Sequence, residues 1–167
     1  MSMIGNYYMT DEDTIKKIRE GELSVEDLIY DENDDIEEEK ALDIDKAWHA
    51  IHFTLTGEMD EGDEDNVLVK LTFGGSPVND EDIGYGPALE ITTDEVKEIN
   101  LIVKDISQED FRSKFSVSEM LENDIYPVIE DENEDEFFEY VWANFEALKN
   151  FLAKASKNDS CLLFYIN

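Results

Sequence analysis

Between Glu134 and Ser156 no Gly or Pro interrupts the chain, and Phe138, Val141, Trp142, Phe145, Leu148, Leu152 and Ala155 recur at helical spacing. That stripe predicts one long helix with a single buried face. Acids crowd its start, and Lys149, Lys154 and Lys157 lie toward its end, as the helix dipole favours. Cys161–Ile166 (CLLFYI) follows almost at once and is continuously apolar. A strand of that character is expected at the centre of a sheet, covered on both faces. Helix and strand together require a layered α/β arrangement.

The other end of the chain repeats the logic. Met3–Met9 reads as a strand, and Thr10 is expected to cap a helix carrying Ile15 and Ile18, which Gly21 stops. Ser24 opens a second short helix with Val25, Leu28 and Ile29 inward. Further along, Ala88–Ile91 reads as a short strand. Thr93 is expected to cap a helix bearing Val96, Ile99, Ile102, Val103 and Ile106. Val67–Phe73 fits strand and helix equally. Residues 107–122 read as further helical turns, broken before Ile125-Tyr126-Pro127. No repeat and no Pro/Gly/Ser linker divides the 167 residues. The expectation is one three-layer α/β/α-type domain around a small mixed sheet that includes the N- and C-terminal strands.

Charge narrows the partners. With 44 acidic and 13 basic residues the net charge is −31. Nucleic acid is not expected as a partner, because phosphate binding rests on Lys and Arg. Anionic membranes repel such a surface as well, and no apolar run approaches the roughly 18 residues of a membrane span. Basic protein surfaces are attracted and steered. Three acidic runs, Asp31–Lys40, Glu58–Asp65 and Glu130–Glu136, read as solvated loops that hold divalent cations loosely. Neither the first nor the third is an EF-hand loop. The sixth and twelfth places are Ile36 and Leu42 in one, Glu136 and Trp142 in the other, where Gly and Glu are needed. The single Cys161 excludes an internal disulfide. MSMIGNYYMTDED has no basic n-region or long apolar h-region, so no signal peptide is expected and the default location is cytoplasmic.

Polar and aromatic chemistry concentrates in Leu42–Gly57, LDIDKAWHAIHFTLTG. Asp43 suits the N-cap and Gly57 the C′ position of one helix. Ile44, Trp48, Ile51 and Leu55 share a face, and Asp45, His49, His52 and Thr56 flank it. Asp45 and His49 are four apart, which permits a carboxylate–imidazole contact. His49 and His52 are three apart, which suits a shared metal, but no third ligand is identifiable and HExxH is absent. Histidines on the boundary of a core, satisfied by a nearby carbonyl or acid, account for the pattern more simply than a ligand or metal site does. Gly84 and Gly86 are no dinucleotide fingerprint, since Pro87 follows and a third Gly is missing. No phosphate loop or GxSxG elbow is present. Cys161, inside an apolar strand, reads as a packed thiol.

LDIDKAWHAIHFTLTG is similar to the motif LDIDKxWxxLHFxLTG of the YfbM-like family, small bacterial proteins of unknown function. MSMIGNYY resembles that family's MxMIGxY start, Gly84–Ala88 with Thr92–Val96 its GYGPAxxLTPxEV segment, and Ile125-Tyr126-Pro127 its IYP element. CLLFYIN agrees with its closing strand in character. Membership implies a three-layer α/β domain and no known reaction or cofactor. His49 falls at an unspecified place of the motif, and Thr93 stands where the family has Pro.

Two functions follow as expectations. One is a non-enzymatic, inhibitor- or immunity-like protein whose acidic face binds a basic protein. Exposed aromatics near the acidic loops would mark its partner surface, but Trp48 and Trp142 both read as inward-facing. The other is a small-molecule or hydrolytic site built from Asp45, Trp48, His52 and Thr56, with Tyr85 and Tyr126 beside it. There His52 would act as general base, oriented by Asp45. That site demands an opening at His52.

Overall fold

The computed structural model describes residues 2–30, 32–33 and 35–167. Asp31 and Asp34 of the first acidic run lie outside the described residues. Five strands, β1 (Gly5–Thr10), β2 (Ala41–Asp43), β3 (Ser76–Pro77), β4 (Leu89–Ile91) and β5 (Cys161–Ile166), form one sheet in the order β2-β1-β5-β4-β3. The C-terminal strand is central, as its apolar run predicts. Tyr7 pairs with Phe164 and Met9 with Leu162 on one flank, and Leu89 pairs with Phe164 on the other.

All four ladders are antiparallel, where a mixed sheet was expected. Continuous apolar character signals burial on both faces and does not by itself select strand direction. Helices on each side supply that burial here. Alternation along β1 and β5 divides the core. Tyr7, Met9, Leu162 and Phe164 face α3 (Trp48–Thr56), α4 (Thr93–Val103), α5 (Gln108–Lys114), α6 (Val117–Glu122) and α7 (Glu134–Lys157). Tyr8, Cys161, Leu163 and Tyr165 face Ile15 and Ile18 of α1 (Glu12–Arg19) and Val25 and Ile29 of α2 (Val25–Ile29). The result is three layers, the sheet between helices.

Helix ends follow the capping chemistry with small displacements. Asp11, not Thr10, caps α1 by accepting from Thr14 N, because Thr10 still pairs with Cys161 in the sheet. Thr92, not Thr93, caps α4, and Glu95 bonds back to Thr92 N at 2.9 Å. Ser24 caps α2 as expected, with Val25 and Ile29 buried and Leu28 only partly so. Val67–Leu71 is a short 3₁₀ turn, neither strand nor α-helix. Among the described residues no helix is long and apolar enough to cross a membrane.

Candidate functional site

The Leu42–Gly57 segment begins at the sheet edge and bends sharply before it coils. Asp43 Oδ1 accepts from Asp45 N at 2.6 Å, and Asp45 takes a left-handed φ of 49°. A 3₁₀ turn over Asp45–Ala47 leads into α3, which ends at Gly57 with φ 74°. The expected single helix is therefore two pieces. Its apolar edge is interred at Ile44, Trp48 and Ile51, each at most 5% exposed, while Leu55 of the same expected face is only partly buried.

Asp45 does not meet His49. Its carboxylate accepts from the Tyr140 hydroxyl of α7 at 2.9 Å, and the Tyr140 hydroxyl oxygen in turn accepts from Lys46 N at 2.9 Å. Burial and the Asp45 carboxylate both push the Tyr140 phenol above its ordinary range. Trp48 donates its indole N–H to Met3 O at 2.9 Å, while Met3 N donates to the Tyr126 hydroxyl at 3.0 Å. The Trp48 ring stacks on His49 at 5.0 Å and on Tyr126 at 5.8 Å. Phe73 closes the box edge-on, 4.7 Å from the His52 ring.

Both imidazoles are spent on backbone. The Tyr126 amide donates to His49 Nδ1 at 3.0 Å, which fixes the proton on Nε2, and Nε2 donates to Met59 O at 2.8 Å. His52 Nε2 donates to Asp60 O at 2.6 Å. His52 Nδ1 is buried with no partner. Desolvation lowers the His52 pKa to about 4, against the opposing pull of the Asp60 carbonyl, and lowers that of His49 too. Both rings are held neutral.

His52 is 1% exposed, so no substrate reaches it as a general base. The six residues expected to line a ligand site are placed unequally. Trp48, His52 and Tyr126 share the aromatic box. Asp45 lies at its far end against Tyr140. Tyr85 stands apart at the end of β5, 43% exposed, its amide donating to Ile166 O at 3.0 Å. Thr56 lines a cleft of about 590 Å³ with Gly57, Lys114, Glu119 and Asn123, and its hydroxyl donates to His52 O at 2.8 Å. Among the described residues no three His, Cys, Asp or Glu side chains converge as a metal site. Cys161 is sealed in the sheet, and burial pushes its thiol up to about 12.

Sequence reasoning missed Tyr140, Phe73 and the Met59 and Asp60 carbonyls. Phe73 ended a stretch with no decisive period, and a carbonyl acceptor leaves no mark in a sequence. Tyr140 falls outside the stripe expected for α7, and only the fold brings it to Asp45.

The fold and site together define a three-layer domain with an antiparallel sheet and a histidine–aromatic box whose imidazoles bond main-chain groups. The chain belongs to the family described as domain of unknown function DUF1877, whose model matches residues 1–165. The YfbM-like resemblance of its motifs therefore holds. Its fold is similar to that of a protein of unknown function, YfbM from Escherichia coli, with a TM-score of 0.73 and 21% identity over 98% of this chain and 99% of that one. No curated protein matches it.

Proposed function

We propose that this chain is a non-enzymatic cytoplasmic binding protein whose acidic surface engages a basic protein, as an inhibitor or immunity protein does. One observation carries the reading. Two acidic runs hold an exposed large aliphatic side chain, Ile36 at 37% and Met59 at 46%, and Ile129, at 62%, stands immediately before the third. A purely solvating loop gains nothing from exposed apolar side chains, whereas an interface uses them as anchors within a charged rim. The net charge of −31 supplies long-range attraction for a Lys/Arg-rich partner and sets its approach rate. The same loops gather divalent cations loosely.

Affinity capture along a NaCl gradient tests this with three forms of the chain. One is unmodified. The second carries Glu58→Gln, Asp60→Asn and Glu61→Gln. The third neutralises three acids of α1 and its cap, Asp11, Glu12 and Asp13. A basic protein retained by the first and third forms, released early from the second, and eluted by rising salt is the expected result. Equal retention by all three forms, or no saturable partner at all, overturns the reading.

A further inference from the structure

We propose that His49 and His52 are an acid-operated latch that fastens the Glu58–Asp65 loop to the body of the protein. The proposal stands apart from the binding function above. It starts from how few bonds hold that loop. Gly62 N bonds to Asp60 Oδ1 and Asp65 N to Asp63 Oδ1, both within the loop. The loop's ends are tied to their neighbours in sequence, Glu58 N to Thr56 Oγ1 and Asn66 N to Asp63 O; among the described residues, the bonds that hold Met59–Asp65 across the fold are the two imidazole bonds to Met59 O and Asp60 O. Both donors sit one turn apart on α3 and act on consecutive carbonyls.

Each ring resists a second proton while the latch is closed. A proton on His49 Nδ1 would face the Tyr126 N–H head-on and expel that bond. A proton on His52 Nδ1 would place a charge in a dry pocket without an acceptor. Desolvation dominates at His52, and two titratable neighbours add to it: the His49 ring, whose own protonation would oppose that of His52, and the Asp60 carboxylate, which favours it. For His49, desolvation outweighs the Met59 carbonyl. The other groups in the box are the rings of Trp48, Phe73 and Tyr126.

Opening frees both imidazoles to titrate near the ordinary value of about 6.5. Because the closed-state affinities for protons are depressed, the open state binds more protons and gains as pH falls below that value. At pH 5 the freed His52 ring favours opening roughly 30-fold, and the freed His49 ring, whose proton affinity the closed form also depresses, acts in the same direction. The gain per ring ends where the closed form itself protonates, for His52 near 4.

Limited digestion by a Glu-specific protease reads the opening, because Glu58, Glu61 and Glu64 lie in the loop. Rates are normalised to the urea-unfolded chain at each pH. Loop cleavage is expected to accelerate at least about 10-fold from pH 7 to pH 5 while far-UV circular dichroism stays constant. In His49→Gln/His52→Gln the acceleration is expected to vanish. A pH-independent rate in the unmodified chain overturns the latch. So does an undiminished acceleration in the double variant, which would assign the effect to carboxylates. If the double variant does not fold, imidazole NMR titration of the intact protein decides. Rings that stay neutral until the loop opens support the latch, and two rings titrating freely near 6.5 in the closed protein refute it.

Discussion

The Tyr140 hydroxyl donates to Asp45 Oδ2 at 2.9 Å and accepts from Lys46 N at the same distance, fastening the start of the LDIDK bend to the long helix α7. Tyr140→Phe removes both bonds and leaves the Lys46 amide without its acceptor. The loss is expected to be about 1–2 kcal/mol in urea unfolding. At Asp45 the left-handed φ of 49° adds a backbone requirement. Asp45→Ala and Asp45→Gly lose the same carboxylate, but only Gly adopts that φ freely. Asp45→Gly is expected to be the more stable of the two by about 1 kcal/mol. Equal stability of the two variants would show the bend is unstrained.

Gly5 is a steric choice. A Cβ there would lie 2.8 Å from Trp48 Cβ and 3.0 Å from Trp48 Cδ1. Trp48 cannot retreat without breaking its indole bond to Met3 O or its stack on His49. Gly5→Ala is expected to destabilise by about 1–3 kcal/mol and to shift Trp emission. Thermal unfolding followed by fluorescence checks both.

How much of this could be seen beforehand depended on length and on what each side chain bonds. The seven-position stripe of α7 and the six apolar residues of β5 were readable, because a period needs several turns to declare itself. β2 and β3 have three and two residues, too few to show alternation, and the sheet's edges were missed with them. Caps slipped by one place at Asp11 and Thr92, since neighbouring residues were equally able to cap and the local backbone decides between them. The motif helix was found, but the fate of its histidines was not. Their partners are main-chain groups of Met59, Asp60 and Tyr126, and any residue types could have supplied them.

Thr93 occupies the first position of α4, where an amide has no intrahelical acceptor and Pro is favoured. Thr92 before it has φ −66° and ψ 161°, a conformation that proline tolerates in its predecessor. The Thr93 hydroxyl is buried without a partner. Thr93→Pro is expected to stabilise by about 0.5–1 kcal/mol, through a stiffer unfolded chain and the removal of an unsatisfied hydroxyl. Loss of stability instead would mean that the hydroxyl or the amide is satisfied in solution.

Salt should separate self-repulsion from useful charge. Only seven ion pairs are formed among the described residues, all with at least one partner partly exposed, against a formal charge of −31. Exposed pairs contribute little each, so screening them costs little. Repulsion among the acidic loops is screened at the same time, with a Debye length of about 10 Å at 0.1 M and about 3 Å at 1 M. The sign is therefore fixed by the excess of like charge: added NaCl raises the melting temperature. A gain of about 1 kcal/mol would appear as roughly 2–4 °C in a chain of this size. Binding to a basic partner should move the opposite way and weaken over the same range. A chain that melts higher in salt yet loses its partner would show that the acidic surface opposes folding and favours association. A chain whose melting temperature falls with salt would instead place its acids in stabilising pairs and remove the electrostatic ground for a basic partner.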